Sequence, residues 1–137
     1  MKVRYHDVDT SKTVECGNPE EISAVLKLRC DFGNVCDNYN YFYLSENGDR
    51  EDPVQLWVEA NGNYAYLFYI DNKYQWQSLN DNNDLDPNEE TPLIPFDPIL
   101  FSNRYFVTIE TAIEAVSEFC LTKTRPTNIR WEALQEE

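Results

Sequence analysis

The stretch "PVQLWVEANGNYAYLFYIDNKYQWQSL", Pro53 to Leu79, decides the fold. Its first part alternates: Val54, Leu56, Val58 and Ala60 fall on one side, Gln55, Trp57 and Glu59 on the other. A period of two is the mark of a strand with two different faces. Asn61-Gly62 follows, and a two-residue type I′ turn needs positive φ at both central positions, which Asn and Gly tolerate best. "NYAYLFYI" (63–70) is the returning strand, with Tyr64, Tyr66, Phe68 and Ile70 on one face. Asp71-Asn72 makes a second tight turn into "KYQWQSL" (73–79). Upstream, "NYNYFYLS" (38–45) is a dense aromatic run that precedes the polar loop "ENGDRED". Strands 38–45, 53–60, 63–70 and 73–79 are therefore predicted to form a four-stranded antiparallel meander.

Outside the meander the period changes. In "CGNPEEISAVLKLRCDF" Asn18 suits a helix N-cap, Pro19 the first helical position, and Glu20 and Glu21 the positive end of the dipole. Ile22, Val25, Leu26 and Cys30 then share a face, ending near Asp31–Gly33. A second helix is predicted over 108–121, capped by Thr108, with Ile109, Ala112, Ile113, Val116, Phe119 and Cys120 on one side. Short strands are expected at 3–8, 104–106 and 127–134. Prolines 92, 95 and 98 exclude a helix or a long central strand between the acidic loop and residue 104. The fold class is α+β: a mostly antiparallel sheet with two amphipathic helices packed on one face. The whole chain, 1–137, reads as a single domain, with no repeat and no linker.

Charge sets the second theme. The chain carries 25 acidic and 11 basic side chains, a net charge of −14, and no Lys or Arg lies between Tyr74 and Asn103. Within that desert, "NDNNDLDPNEE" (80–90) holds Asp81, Asp84, Asp86, Glu89 and Glu90. Such a balance disfavours nucleic acid and anionic membranes and favours a basic protein partner. The aromatic content of 14% sets the chain apart from a disordered acidic tail. The polar start, "MKVRYHDVDT", and the lack of a long apolar run predict a soluble cytoplasmic protein.

The chemistry of the loop points to binding. Asp84, Asp86 and Asn88 have the 1, 3, 5 spacing of a calcium loop, but Glu89 stands at position six and Pro95 at twelve, where Gly and Glu are required. Cys16, Cys30, Cys36 and Cys120 form no CxxC pair, so neither a metal nor a cofactor is expected. His6 is the single histidine, read as a structural or solvent-facing residue of an edge strand. No glycine-rich phosphate loop or nucleophile elbow is present among the four glycines. The chain is expected not to be an enzyme. Tyr74 and Trp76 share one face of the strand leading into the acidic loop, opposite Gln75 and Gln77. They are either anchors of a binding surface or core residues. The loop Glu46, Asp49, Glu51, Asp52 is a second acidic candidate.

The stretch "RYFVTIETAIEAVSEFCLTKTRPTNIRWEAL" (104–134) resembles the Imm1 family of immunity proteins. The family pattern has an Ala-rich helix ending in Phe, a Thr-Gly step, an Arg-Pro pair and an apolar-x-Trp strand. Phe119, Thr122, Arg125, Pro126, Ile129 and Trp131 stand in those places. Lys123 stands where the family usually has Gly. The resemblance implies an immunity protein that neutralises a nucleic-acid-targeting bacterial toxin, of deaminase or nuclease type, by occluding its active site. The alternative is an acidic intracellular adaptor. Toxin contact is expected at Asp81, Asp84, Asp86, Glu89 and Glu90, with Tyr74 and Trp76 as anchors. Phe119, Thr122, Arg125, Pro126 and Trp131 are expected to be fold determinants.

Overall fold

The computed structural model describes residues 3–7, 12–16, 20, 41–49, 51–60, 64–80, 86–92 and 100–134. Strands β1 (Val3–Asp7), β2 (Lys12–Cys16), β3 (Tyr41–Ser45), β4 (Val54–Ala60), β5 (Tyr64–Asp71) and β6 (Tyr74–Ser78) come first. They are followed by β7 (Glu90–Pro92), β8 (Leu100–Ser102), β9 (Val107–Thr108), helix α1 (Ile109–Thr122) and β10 (Trp131–Leu134). The main sheet has the order β10-β6-β5-β4-β3-β1-β2, with β9 pairing β5, and every pairing is antiparallel. The meander expected from the alternation is its centre, β3 to β6. β7 and β8 form a separate two-stranded ribbon.

One face of the meander is buried under α1. Leu56 and Val58 of β4, Ala65, Leu67 and Tyr69 of β5, and Leu44 of β3 form one cluster with Ala112, Ala115, Val116, Phe119 and Cys120. Ile109 and Ile113 pack at its edge. The helix begins where the sequence places it: the Thr108 hydroxyl accepts from the Thr111 amide. It ends on Lys123, in the left-handed region at φ 55° and ψ 23°, with its amide donating to the Phe119 carbonyl at 2.7 Å. The β5–β6 turn has the same device, Asn72 at φ 56°. Asp71 pairs directly with Tyr74, so the turn residues are Asn72 and Lys73, one step later than expected.

Other expectations change. Residues 104–106 are not a strand: Asn103–Tyr105 is a 3-10 turn in which the Arg104 amide donates to the Ser102 hydroxyl. The final strand is shorter than expected, starting at Trp131. Thr127 and Asn128 are instead tied to the helix, Thr127 through the Glu118 carboxylate and Asn128 through the Thr111 carbonyl. Strand β2 adds to the expected strands, and it moves β1 inside the sheet, between β2 and β3. His6 is therefore not on an edge strand; it pairs with Thr13 and Tyr43. The expected helix over 18–33 lies outside the described residues except for Glu20, which is helical, and the Asn61-Gly62 turn lies outside them as well. Among the described residues α1 is the one full helix, so the packing of two helices on one face is not carried over.

Lys123 holds a conformation that costs a residue with a Cβ about 1 kcal/mol relative to Gly. Its ammonium also pairs with Glu46 at 3.1 Å. Lys123→Gly is expected to raise the unfolding free energy by about 1 kcal/mol in urea titrations at a salt concentration that screens the pair. A loss of stability there would mean that the Lys123 side chain supports the fold by more than its backbone strains it.

Candidate functional site

The acidic segment is less free than its composition suggests. Asp86 opens a turn: its carboxylate accepts from the Asn88 amide at 2.9 Å, and its carbonyl accepts from the Glu89 amide at 3.1 Å. Asn103, only 2% exposed, grips this turn from below. Its side-chain amide donates to the Asp86 carbonyl at 2.9 Å, and its backbone amide donates to the Glu89 carbonyl at 2.9 Å. At the base, Asn80 donates from its backbone to the Arg104 carbonyl, and Arg130 donates to the Asn80 carbonyl. Asp86, Glu89 and Glu90 are exposed. Asp81 and Asp84 lie outside the described residues.

The loop after β3 is acidic and internally bonded. The Asp52 carboxylate accepts from the Asn47 amide at 2.8 Å, the Asn47 side chain at 2.9 Å and the Asp49 amide at 3.4 Å. Burial pushes the Asp52 pKa up, but the nearby Ser45 hydroxyl together with these bonds more than offsets it and holds the carboxyl below its usual range. Glu46, Asp49 and Glu51 are exposed. Beside this loop a shallow depression has Trp57 and Ile70 on its floor and Glu51 and Asp52 on its rim.

Tyr74 and Trp76 part company. Both point to the α1 side of the sheet, because Trp76 pairs with the core residue Tyr69. Trp76 therefore does not face outward: it packs against the core edge, its ring 5.6 Å from that of Tyr69. Tyr74, at the end of the strand, is 67% exposed. The two rings are 6.1 Å apart. Trp76 forms a wall of a cleft of about 560 Å³, together with Asp71, Arg125, Ile129 and Trp131. The Arg125 guanidinium lies over the Trp76 ring, 4.7 Å from its centroid. The Tyr69 hydroxyl lies between the Asp71 carboxylate and the Arg125 backbone; burial raises its pKa first, then the charge of Asp71.

The signature positions take different places. Phe119 is in the core and Pro126 is buried. The Trp131 indole N–H donates to the Pro126 carbonyl at 2.8 Å, so the two fix the turn into β10 together. Thr122 is exposed, with its hydroxyl donating to the Glu118 carbonyl. Arg125 is exposed and lines the cleft. Nothing in the local sequence joins Arg125 to Trp76; only the chain's return through β10 does.

A polar network lies on the face of the sheet away from α1. The Tyr66 hydroxyl donates to Gln77 at 3.0 Å, and Gln77 donates to Glu132 at 2.8 Å. Arg104 pairs with Glu132 at 3.3 Å. Burial, followed by the charges of Glu59, Tyr105 and Glu132, pushes the Tyr66 pKa far up. A phenol held this way donates a hydrogen bond and has no use as a nucleophile. Burial raises the Glu59 carboxyl too. Cys120 is buried within the core cluster. Among the described residues no group of His, Cys, Asp or Glu is placed to hold a metal ion, and no helix is long and apolar enough to cross a membrane.

The profile of the family described as Immunity protein Imm1 matches residues 11–133, and the chain belongs to that family. No curated protein matches it.

Because the folded-state pKa of Glu59 is raised, ionised Glu59 opposes folding at neutral pH. Glu59→Gln is expected to raise the urea midpoint at pH 7. The gain should shrink as pH falls through the folded-state pKa and vanish below the ordinary carboxyl value of 4.5, where both states of the wild type are protonated. A pH-independent difference would assign the effect to packing rather than charge.

Proposed function

We propose that this protein is an immunity protein that binds a cognate bacterial toxin in the cytoplasm and blocks its active site. The toxin is a nucleic-acid-targeting domain of deaminase or nuclease type. The observation that carries this reading is the family match over residues 11–133, joined to a net charge of −14. A domain that acts on nucleic acid must hold phosphates, and its groove is accordingly basic. A carboxylate-rich protein competes for the same groove and is drawn to it over distance. The toxin-facing group in this reading is Asp81, Asp84, Asp86, Glu89 and Glu90, with Tyr74 and Trp76 as aromatic neighbours. The protein does no chemistry of its own; inhibition is steric and electrostatic.

The test is co-expression. The C-terminal domain encoded immediately upstream is produced in a susceptible bacterium with and without this protein, and survivors are counted. Rescue with a co-purifying complex is the expected result. Toxicity without rescue would move the weight to an adaptor role.

Within a confirmed complex, Glu89→Lys combined with Glu90→Lys is expected to slow association roughly tenfold at low salt. The effect should shrink as salt rises, and thermal stability should hold, because neither carboxylate is needed for the bonds that pin the turn. An unchanged association rate would take this turn out of the encounter surface.

A further inference from the structure

Acidic side chains outnumber basic ones 25 to 11, yet the Arg125 guanidinium makes no ion pair or hydrogen bond among the described residues. Asp71 lines the same cleft without forming an ion pair to it; that carboxylate accepts from the Asn72 side-chain amide at 2.7 Å and borders the Tyr69 hydroxyl. What holds Arg125 is the Trp76 ring under its flat face. Stacking uses the face of a guanidinium and leaves its N–H donors, which lie in the plane, free to point outward. The result is a fixed cationic fork on an aromatic plinth, with the exposed Tyr74 ring alongside and Ile129 and Trp131 as an apolar floor.

We infer that this cleft is the anchor point of the toxin interface, where Arg125 receives a side-chain carboxylate from a surface loop of the toxin and an adjoining apolar side chain fills the floor. The inference rests on the toxin-binding reading. The occupant follows from charge and shape. An in-plane fork fits a carboxylate with two parallel hydrogen bonds. Tyr, Trp and Arg grouped in a concave setting are the residues that carry binding energy in protein interfaces. The anchor is opposite in sign to the acidic turns. Carboxylates alone attract any cationic groove in many orientations; one carboxylate accepted at one place fixes the register.

The test uses the full chain and the C-terminal domain encoded immediately upstream. Arg125→Gln and Tyr74→Ala are each expected to weaken the complex about tenfold or more, with Arg125→Lys also impaired because a lysine lacks the fork. The loss should sit in the dissociation rate and persist at high salt, unlike that of the Glu89 and Glu90 variants. If the wild-type pair does not bind, the toxin reading itself fails. If the pair binds and both variants bind within about twofold of wild type, the cleft is overturned while the toxin reading stands. Should Arg125→Gln lower the melting temperature, Tyr74→Ala decides, since its ring is exposed and bears little on folding. A wild-type dimer in sedimentation that Arg125→Gln abolishes would also overturn the inference, since the carboxylate would then come from a second copy.

Discussion

The structure depends on one contact, the seating of the α1 stripe on the centre of the meander. Ala112 and Ala115 keep the helix close to the sheet, and Val116 and Phe119 fill the space between Leu56, Val58, Leu67 and Tyr69. Removing a large side chain from such a cluster costs about 2–5 kcal/mol, a large part of what a domain of this size has. Thr108 ties the contact down at one end, because it is both a β9 residue paired with Tyr64 and the cap of the helix. Lys123 and the turn after it tie it at the other. The described residues C-terminal to α1, including Arg125 and Trp131, are positioned by this seating.

The centre of the fold was legible because its signals are local. Period-two alternation over 53–60, turn residues at 71–72 and helical spacing over 109–120 are each set by neighbours within a few positions. The failures have non-local causes. Residues 127–130 looked like strand, but Glu118 of the helix captures Thr127 and draws that backbone off the sheet. The 104–106 segment carries strand-like aromatics, yet the Ser102 hydroxyl starts a tight turn there. β2 is short and mixed, and its pairing with β1 supplies the order that its composition does not announce.

The site divides in the same way. The carboxylates of the 80–90 loop were visible as composition. Which of them are held, and by what, was not: the buried Asn103 lies 17 positions from Asp86 and looked like any loop asparagine. Tyr74 and Trp76 were correctly placed on one side of β6, but alternation does not say which side is covered. The pairing of Trp76 with Tyr69 settles that. Arg125 stands out in the sequence only through a family resemblance, and there as a fold determinant. Its place above Trp76 depends on two strands brought together by the end of the chain.

The manner in which Asn103 grips the acidic turn has a consequence for substitution. Its bonds run to the carbonyls of Asp86 and Glu89, groups that every residue possesses. The side chains at 89 and 90 are therefore almost invisible to folding. Substitution there, even with reversal of sign, should cost the fold little. Asn103 itself has no such liberty, because a buried amide with a different shape would leave the turn unheld. The fold thus separates a buried side chain that it needs, Asn103, from exposed side chains that it does not.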